Sequence, residues 1–203
     1  MSVPPAGSAG ASEDRVAARI VSTTVRYEGW ARLSQARVRL DSGQEITREI
    51  EDHGASVAVL PYDPVRRTAL LVRQVRAPVL ATLGACDLLE APAGLTDGGD
   101  PIDTARRELH EEVGLALTEL EHVASVFTMP GISTEHMDLY LARYTPADRT
   151  GAGGGLADEH EQLTVEELAL AELWRMAERN ELADMKTLTL LFALRLRHGD
   201  LFR

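Results

Sequence analysis

The chain has 203 residues and 44% hydrophobic content, which suffices for the core of one domain, and its net charge of −11 disfavours nucleic acid and anionic lipid as partners. The single cysteine, Cys86, excludes an internal disulfide and a cysteine-based metal cage. The sequence contains neither a membrane-length apolar run nor an export signal, so we expect a cytoplasmic protein without a membrane partner.

The N-terminal third is predicted to be extended. Residues 1–14 are rich in Ala, Gly, Pro and Ser, which is typical of a disordered tail. Residues 15–50 alternate between apolar and polar side chains around a turn signal at 41–43, which predicts a small N-terminal antiparallel sheet. Apolar runs at 55–60 and 68–75, separated by a turn at Asp63-Pro64, predict a hairpin in a buried sheet.

Strands and helices alternate in the rest of the chain, which predicts an α/β or α+β domain. The clearest helix spans residues 102–113, where Asp100 is a favourable N-cap, Pro101 suits the first turn and Gly114 favours termination. The other predicted elements are strands at 87–91, 121–127 and 137–144, a glycine-rich loop at 150–155, an extended run at 163–166, and helices at 168–179 and 185–198.

Three carboxylates gather near the end of the predicted helix. Glu108, Glu111 and Glu112 share one helix face, because residues three and four apart are neighbours. Composition alone is compatible with a solvated acidic face. A helix C-terminus disfavours anions, however, and Mg²⁺ prefers oxygen ligands and bridges to phosphates. We therefore favour a Mg²⁺ site, with Mn²⁺ as a possible substitute.

Residues 94–115, GLTDGGDPIDTARRELHEEVGL, resemble the Nudix box, whose pattern is G-x5-E-x7-R-E-U-x-E-E-x-G-U with U aliphatic. The second half matches fully from Arg107 to Leu115, and Gly94 matches the opening glycine. Gly94 and Arg107 are separated by one residue fewer than in the pattern. Asp100 stands where the pattern has a glutamate, and a role as a helix N-cap alone is an equally favoured alternative to a role in the site. The shortened spacing resembles the GDP-mannose pyrophosphatase branch. The resemblance implies the Nudix fold for residues 51–203, a mixed β-sheet sandwiched between helices.

The resemblance also implies a metal site. By position, Glu108 and Glu112 would be the main metal ligands, together with the backbone carbonyl of Ala93. Glu111 would assist, and Arg107 would orient the carboxylates through an ion pair. A simple bridge between Arg107 and Glu111, four residues apart, is compatible with that role.

A second implied catalytic element is the loop GAGGGLADEHE at residues 151–161, which combines features of the GDP-mannose and ADP-ribose enzymes. A glycine-hinged acidic loop can swing a carboxylate over a bound substrate. Glu161 is the first candidate for the general base or a further metal ligand, and Glu159 is the second.

Similarity to the ADP-ribose and GDP-mannose pyrophosphatases extends over residues 15–201 and implies substrate contacts along the chain. The implied contacts are base stacking on Trp30, nucleotide contacts from Arg48 and Glu49, a phosphate contact from Arg76 in LVRQVR, contacts at Gly94 and Leu95, a sugar-hydroxyl contact from Glu135, and a substrate contact from Lys186. Ordinary alternatives are a core aromatic for Trp30, a loop glutamate for Glu135 and a helix-start lysine for Lys186. The resemblance further implies a homodimer that swaps its N-terminal sheet.

The resulting hypothesis is Mg²⁺-dependent hydrolysis of the pyrophosphate bond of a nucleoside diphosphate sugar to a nucleoside monophosphate and a sugar phosphate. The motif match favours GDP-mannose, and ADP-ribose stays open. A hydrolase of free or damaged nucleoside triphosphates and a non-catalytic Nudix-like ligand-binding module are the alternatives. A structural acidic protein would not explain the spacing of the glycines and carboxylates.

Overall fold

The computed structural model describes residues 17–84, 87–156 and 162–203. The predicted tail at 1–14, Cys86, and the loop residues Glu159 and Glu161 lie outside the described residues. Two compact units make up the chain: one contains residues up to Ala55 together with Ser125–Met137, and the other contains Ser56–Ala124 and Asp138–Arg203. None of the described helices is both long and apolar enough to cross a membrane.

The first unit contains a three-stranded antiparallel sheet, as predicted from the alternation at 15–50. Its strands are β1 (Arg19–Glu28), β2 (Arg32–Arg39) and β3 (Glu45–Asp52), in the order β1-β2-β3. Gly43, at the predicted turn between β2 and β3, has a φ of +84°, a conformation that glycine adopts without steric cost. Residues 125–137 join this unit, where the amide of Glu51 donates to the carbonyl of Ile132 at 2.8 Å.

The larger sheet has seven strands and corresponds to the predicted mixed sheet. Its strands are β4 (Ser56–Asp63), β5 (Thr68–Val75), β6 (Asp87–Glu90), β7 (Ala93–Leu95), β8 (Glu121–Phe127), β9 (His136–Arg143) and β10 (Thr164–Ala169). The strand order is β10-β5-β4-β9-β8, with β6 paired to β5 and β7 paired to β4. The predicted hairpin is confirmed as β4 and β5. Strand β7 was not predicted, because three residues are too few to show an alternating pattern.

Four helices are described: α1 (Ala77–Leu83), α2 (Pro101–Val113), α3 (Leu170–Glu178) and α4 (Met185–Arg197). Short 3-10 turns lie at Pro146–Asp148 and Gly199–Phe202. The helix predicted from residue 168 begins instead at Leu170, because Leu168 and Ala169 still pair with β5 as part of β10. Helix α1 was not predicted, since its seven residues are too few for a helical period.

The core lies against β4, a strand whose eight residues are all buried. Helix α2 packs its apolar row against this strand, and α4 contacts the same strand. Each fully buried aliphatic side chain contributes about 1.5–3 kcal/mol. The packing of α2 on β4 therefore fixes where the carboxylates of α2 lie.

Candidate active site

Helix α2 buries two adjacent rows of side chains, each spaced by four residues. They are a polar row of Thr104, Glu108 and Glu112 and an apolar row of Ala105, Leu109 and Val113. Glu108 and Glu112 are only 7% and 1% exposed. A solvated acidic face would be exposed, so that interpretation is wrong for these two glutamates. Burying carboxylates is costly unless they are paired or coordinate a metal.

The helix begins where the sequence predicts. The Asp100 carboxylate accepts hydrogen bonds from the amides of Ile102 at 2.8 Å and Asp103 at 3.3 Å, which makes it a helix N-cap. At the other end, Gly114 has a φ of +72° and its amide donates to the carbonyl of His110 at 3.1 Å.

Gly94 makes room for the carboxylate of Glu108. In β7, Gly94 pairs with Val57 of β4, the strand on which α2 packs. A Cβ atom built on Gly94 would collide with the Glu108 carboxylate group. The opening glycine of the box therefore leaves the space beside β7 that the Glu108 carboxylate occupies.

Arg107 contacts two of the three box glutamates. Its guanidinium forms ion pairs with Glu108 at 2.6 Å and with Glu111 at 2.7 Å. The same group donates to the backbone carbonyl of Leu95 at 3.4 Å. The predicted ion pair and the bridge across four residues thus coexist, and Arg107 ties α2 to β7.

Glu112 also reaches β7. Its Oε2 atom accepts a hydrogen bond from the amide of Ala93 at 3.2 Å, so Ala93 and Glu112, both predicted metal ligands, are neighbours. Among the described residues, no three His, Cys, Asp or Glu side chains are already gathered as a cation site. Mg²⁺ is usually held by one or two carboxylates, with waters and substrate phosphates completing the shell. The oxygen donors of Glu108 and Glu112 fit such a cation.

The glycine-rich loop caps the C-terminal end of α2, a role the sequence did not reveal. The amide of Gly154 donates to the carbonyl of Glu112 at 2.8 Å, and that of Gly155 donates to the carbonyl of Glu111 at 3.1 Å. Gly153 has a φ of +71°, and a Cβ there would collide with the Glu112 carbonyl oxygen. These contacts satisfy helix-end carbonyls that would otherwise add negative character beside the glutamates.

Two predicted substrate cations, Arg76 and Lys186, meet on one carboxylate. Arg76 follows the end of β5 and donates from Nε and Nη2 to the two oxygens of Glu90, at 2.8 and 2.9 Å. Lys186, in the first turn of α4, donates to the same Glu90 and pairs with Asp184 at 3.0 Å. Sequence reasoning missed Glu90, although a glutamate directly after the apolar pair Leu88-Leu89 in a predicted strand was an available signal.

Opposite charges in this cluster shift the pKa values of Glu90 and Arg76. Burial raises the pKa of Glu90, but the hydrogen bond from Arg76 and the charge of Lys186 outweigh it, and the net result is a lowered pKa. The hydrogen bond to Glu90 and the charges of Glu90, Glu112 and Asp184 outweigh burial and raise the pKa of Arg76. The charge of Glu112 on α2 is thus one of the charges that act on Arg76.

The first unit contains the other predicted substrate residues. Trp30 is 77% exposed and stacks on the His53 ring with centroids 5.0 Å apart and planes 19° apart. The His53 ring also lies between two carboxylates, with Nδ1 2.6 Å from Glu51 and Nε2 3.6 Å from Glu135. Trp30 is therefore not a core aromatic, and Glu135 is not an isolated loop glutamate. His53 was not predicted, since nothing in a linear pattern links it to Trp30.

Arg48 and Glu49 line an open groove in the same unit. The groove has a volume of about 580 Å³, and the loop at 130–134 and Phe127 form its other side. The structure thus brings Arg48 and Glu49 beside the loop at 130–134, which directly precedes Glu135. The carboxylates of α2 with Arg76 and Lys186 belong to the second unit.

The chain is similar to several known proteins. Residues 52–189 match the model of the NUDIX domain. An ADP-ribose pyrophosphatase of Escherichia coli (strain K12) is 32% identical over 190 residues, 90% of each chain. A GDP-mannose pyrophosphatase of Cronobacter sakazakii (strain ATCC BAA-894) is 36% identical over 152 residues, 74% of this chain and 78% of that one.

A solved structure of an ADP compounds hydrolase has the same fold, with a TM-score of 0.73 and 19% identity over 93% of this chain and 98% of that one. The domain match covers more than half of the chain and includes α2 with its buried glutamates. The chain therefore belongs to the NUDIX family.

Proposed function

We propose that this protein hydrolyses the pyrophosphate bond of a nucleoside diphosphate sugar, giving a nucleoside monophosphate and a sugar phosphate. The observation that carries the proposal is the buried pair Glu108 and Glu112 in the same unit as two cations, Arg76 and Lys186. Carboxylates suited to a divalent cation and cations suited to phosphate oxygens are what a diphosphate substrate needs. A ligand-binding module without catalysis would not need the carboxylates.

Glu108 and Glu112 would hold Mg²⁺, or Mn²⁺ in its place, with Glu111 and the Ala93 carbonyl assisting. A bound divalent ion supplies charge neutralisation on the diphosphate and lowers the pKa of its bound water. Arg107 keeps Glu108 and Glu111 in place through its two ion pairs.

Arg76 and Lys186 would orient the diphosphate. Arg76 commits Nε and Nη2 to Glu90, which leaves Nη1 as the nitrogen of the fork not used by that carboxylate. Its side chain is 42% exposed, so it can reach a ligand, whereas Lys186 is 11% exposed and acts from a more enclosed position.

The general base would come from the loop that contains Glu159 and Glu161. Support comes from the two ends of this loop. Gly155 bonds to the C-terminal end of α2, and the amide of Leu163 donates to the carbonyl of Gly154 at 3.3 Å. The described residues on either side of the loop are therefore held at the C-terminal end of α2, where Glu111 and Glu112 lie.

Recognition of the nucleoside and sugar would use Trp30, Arg48, Glu49 and Glu135, with Gly94 and Leu95 contacting the substrate beside α2.

The protein would form a homodimer through the sheet of the first unit. Nine of the ten residues of the edge strand β1 are exposed, including Ile20, Val25 and Tyr27. An edge strand with exposed apolar side chains is suited to contact with a second chain. Size-exclusion chromatography with light scattering tests this: a mass twice that of the chain is expected.

Two similarities favour two different substrates within this class. The shortened box spacing favours GDP-mannose, whereas the relative that acts on ADP-ribose aligns over 90% of the chain. The test is incubation of the full chain and Mg²⁺ with GDP-mannose, ADP-ribose and free nucleoside triphosphates, followed by chromatography. We expect a nucleoside monophosphate and a sugar phosphate from a diphosphate sugar, and no product after chelation of the metal.

Other outcomes would contradict the proposal. Turnover of triphosphates alone would assign a different substrate class. Binding of a nucleotide sugar without hydrolysis at any divalent metal concentration would indicate a ligand-binding module.

Hydrolysis in ¹⁸O-labelled water would identify the attacked phosphorus. The label enters only the product that contains the phosphorus attacked by water.

A further inference from the structure

Glu90 holds together two cations that the chain supplies from distant elements. Arg76 lies between β5 and α1, whereas Lys186 lies in α4, yet both donate to the carboxylate of Glu90. Arg76 uses two nitrogens in a bidentate arrangement, which fixes the plane of its guanidinium. One carboxylate therefore determines the orientation of one cation and the position of the other.

The Glu90 side chain is only 2% exposed, so its ion pairs are not ordinary surface salt bridges. A buried carboxylate costs several kcal/mol of desolvation and is tolerated when its partners satisfy it. Together, Glu90 and Asp184 balance the charges of Arg76 and Lys186. The cluster thus presents fixed donors rather than a large net positive charge, a property suited to selective contact with phosphate oxygens.

The backbone beside Glu90 has its own connection to α4. The amide of Ala91 donates to the Thr187 hydroxyl at 2.7 Å, and that hydroxyl donates to Asp184 at 2.5 Å. Asp184 caps α4 by accepting from the amide of Thr187 at 3.0 Å. Strand β6 and helix α4 therefore stay joined without the Glu90 carboxylate. Neutralising Glu90 should remove the charged partner that Arg76 and Lys186 share, and leave Lys186 with Asp184, while the elements stay in place.

We propose that Glu90 is a positioning residue that fixes Arg76 and Lys186 as a paired cation site for the diphosphate of the substrate. The inference rests on the proposed function. Glu90 itself touches no substrate; it restricts the two side chains that do. Its loss should therefore weaken substrate binding more than the chemical step.

The variant Glu90→Gln tests this, since it keeps the shape and removes the charge. We expect KM for the nucleoside diphosphate sugar to rise about tenfold and kcat to change less than about threefold. Glu167→Gln is the matched control, because Glu167 also pairs with an arginine, Arg66, but in a separate cluster with Thr68 and Tyr144. That control should keep the kinetic constants of the unmodified protein.

A double-mutant comparison separates positioning from a structural role. In the Arg76→Ala/Lys186→Ala background, Glu90→Gln should cause no further rise in KM, because its two partners are already gone. An additive loss, or an unchanged KM in a folded Glu90→Gln protein, would overturn the proposal. If Glu90→Gln does not fold, Glu90→Asp keeps the charge but is one methylene too short to bridge both cations, and it should raise KM likewise.

Binding of inorganic pyrophosphate to the metal-free protein gives a second readout that does not depend on hydrolysis. Calorimetry should show about tenfold weaker binding for Glu90→Gln than for the unmodified chain or for Glu167→Gln. If the chain hydrolyses no nucleotide sugar but pyrophosphate binding depends on Glu90, the proposed function fails and the positioning role stands. If the chain does hydrolyse a nucleotide sugar, but Glu90→Gln binds pyrophosphate as tightly as the unmodified chain, the proposed function stands and the positioning role fails.

Discussion

The Glu108 carboxylate lies where a side chain on Gly94 would have to be. The atoms that would collide are at the flexible end of Glu108, so Gly94→Ala can be accommodated by moving that carboxylate. We expect the variant to fold, with a melting temperature near that of the unmodified chain, and to lose at least about tenfold in kcat/KM because a predicted metal ligand is displaced.

The control for this variant is Gly199→Ala, because Gly199 has no neighbour within 4 Å of an added Cβ. It should retain full activity. An active Gly94→Ala enzyme with an unchanged requirement for Mg²⁺ would show that the position of Glu108 does not matter for the reaction.

Replacing Glu112 by Gln should reduce turnover by about two orders of magnitude or more, since metal stabilisation of transition-state charge is worth several kcal/mol. Glutamine can still accept the hydrogen bond from the Ala93 amide, so the fold should persist. Rates at saturating Mg²⁺ and thermal melting together check this. Glu119→Gln removes the same charge from an exposed position and should have no effect; a near-normal rate for Glu112→Gln would refute the ligand assignment.

Substituting Gly153 by Ala should destabilise the protein, because the residue has a φ of +71° and its Cβ would meet the Glu112 carbonyl. The left-handed backbone alone costs about 1–2 kcal/mol. Gly98→Ala, at a φ of +78° with open space around it, carries the backbone cost without the collision. Thermal melting should therefore rank Gly153→Ala below Gly98→Ala, and equal melting temperatures would contradict the loop contact.

The first unit should be less stable in alkaline solution. Burial lowers the pKa of His53, but the hydrogen bond to Glu51 and the charges of Glu51 and Glu135 outweigh it and raise the pKa above 6.5. A raised pKa means that protonated His53 stabilises the fold below about pH 6.5, and that this contribution is lost as the pH rises through the folded-state pKa.

An NMR titration of the His53 ring measures this directly. In the unmodified chain the midpoint of the His53 titration should lie above pH 6.5. Glu51→Gln should lower this midpoint, because Glu51 makes the largest contribution that raises the pKa of His53. The conservative variant Glu28→Gln removes a carboxylate that pairs with Arg32 instead and should leave the midpoint in place. An identical midpoint in the Glu51→Gln protein would contradict the assigned cause.

Local sequence was sufficient for the elements whose signals are contiguous. Asp100 and Gly114 marked the two ends of α2, and the spacing of Glu108 and Glu112 placed them on one helix face. These features depend on neighbouring residues along one helix, so a single sequence contains them. The same contiguous box was enough to identify the family.

Tertiary structure decided the contacts between distant segments. The pairing of Arg76 and Lys186 on Glu90, and the stacking of Trp30 on His53, join residues that no helical or strand period relates. The order of strands, the packing of α2 on β4 and the path of the loops determine which of these groups meet. A sequence pattern specifies which face of an element is buried, but the partner on the other side of that face is set only when the chain folds.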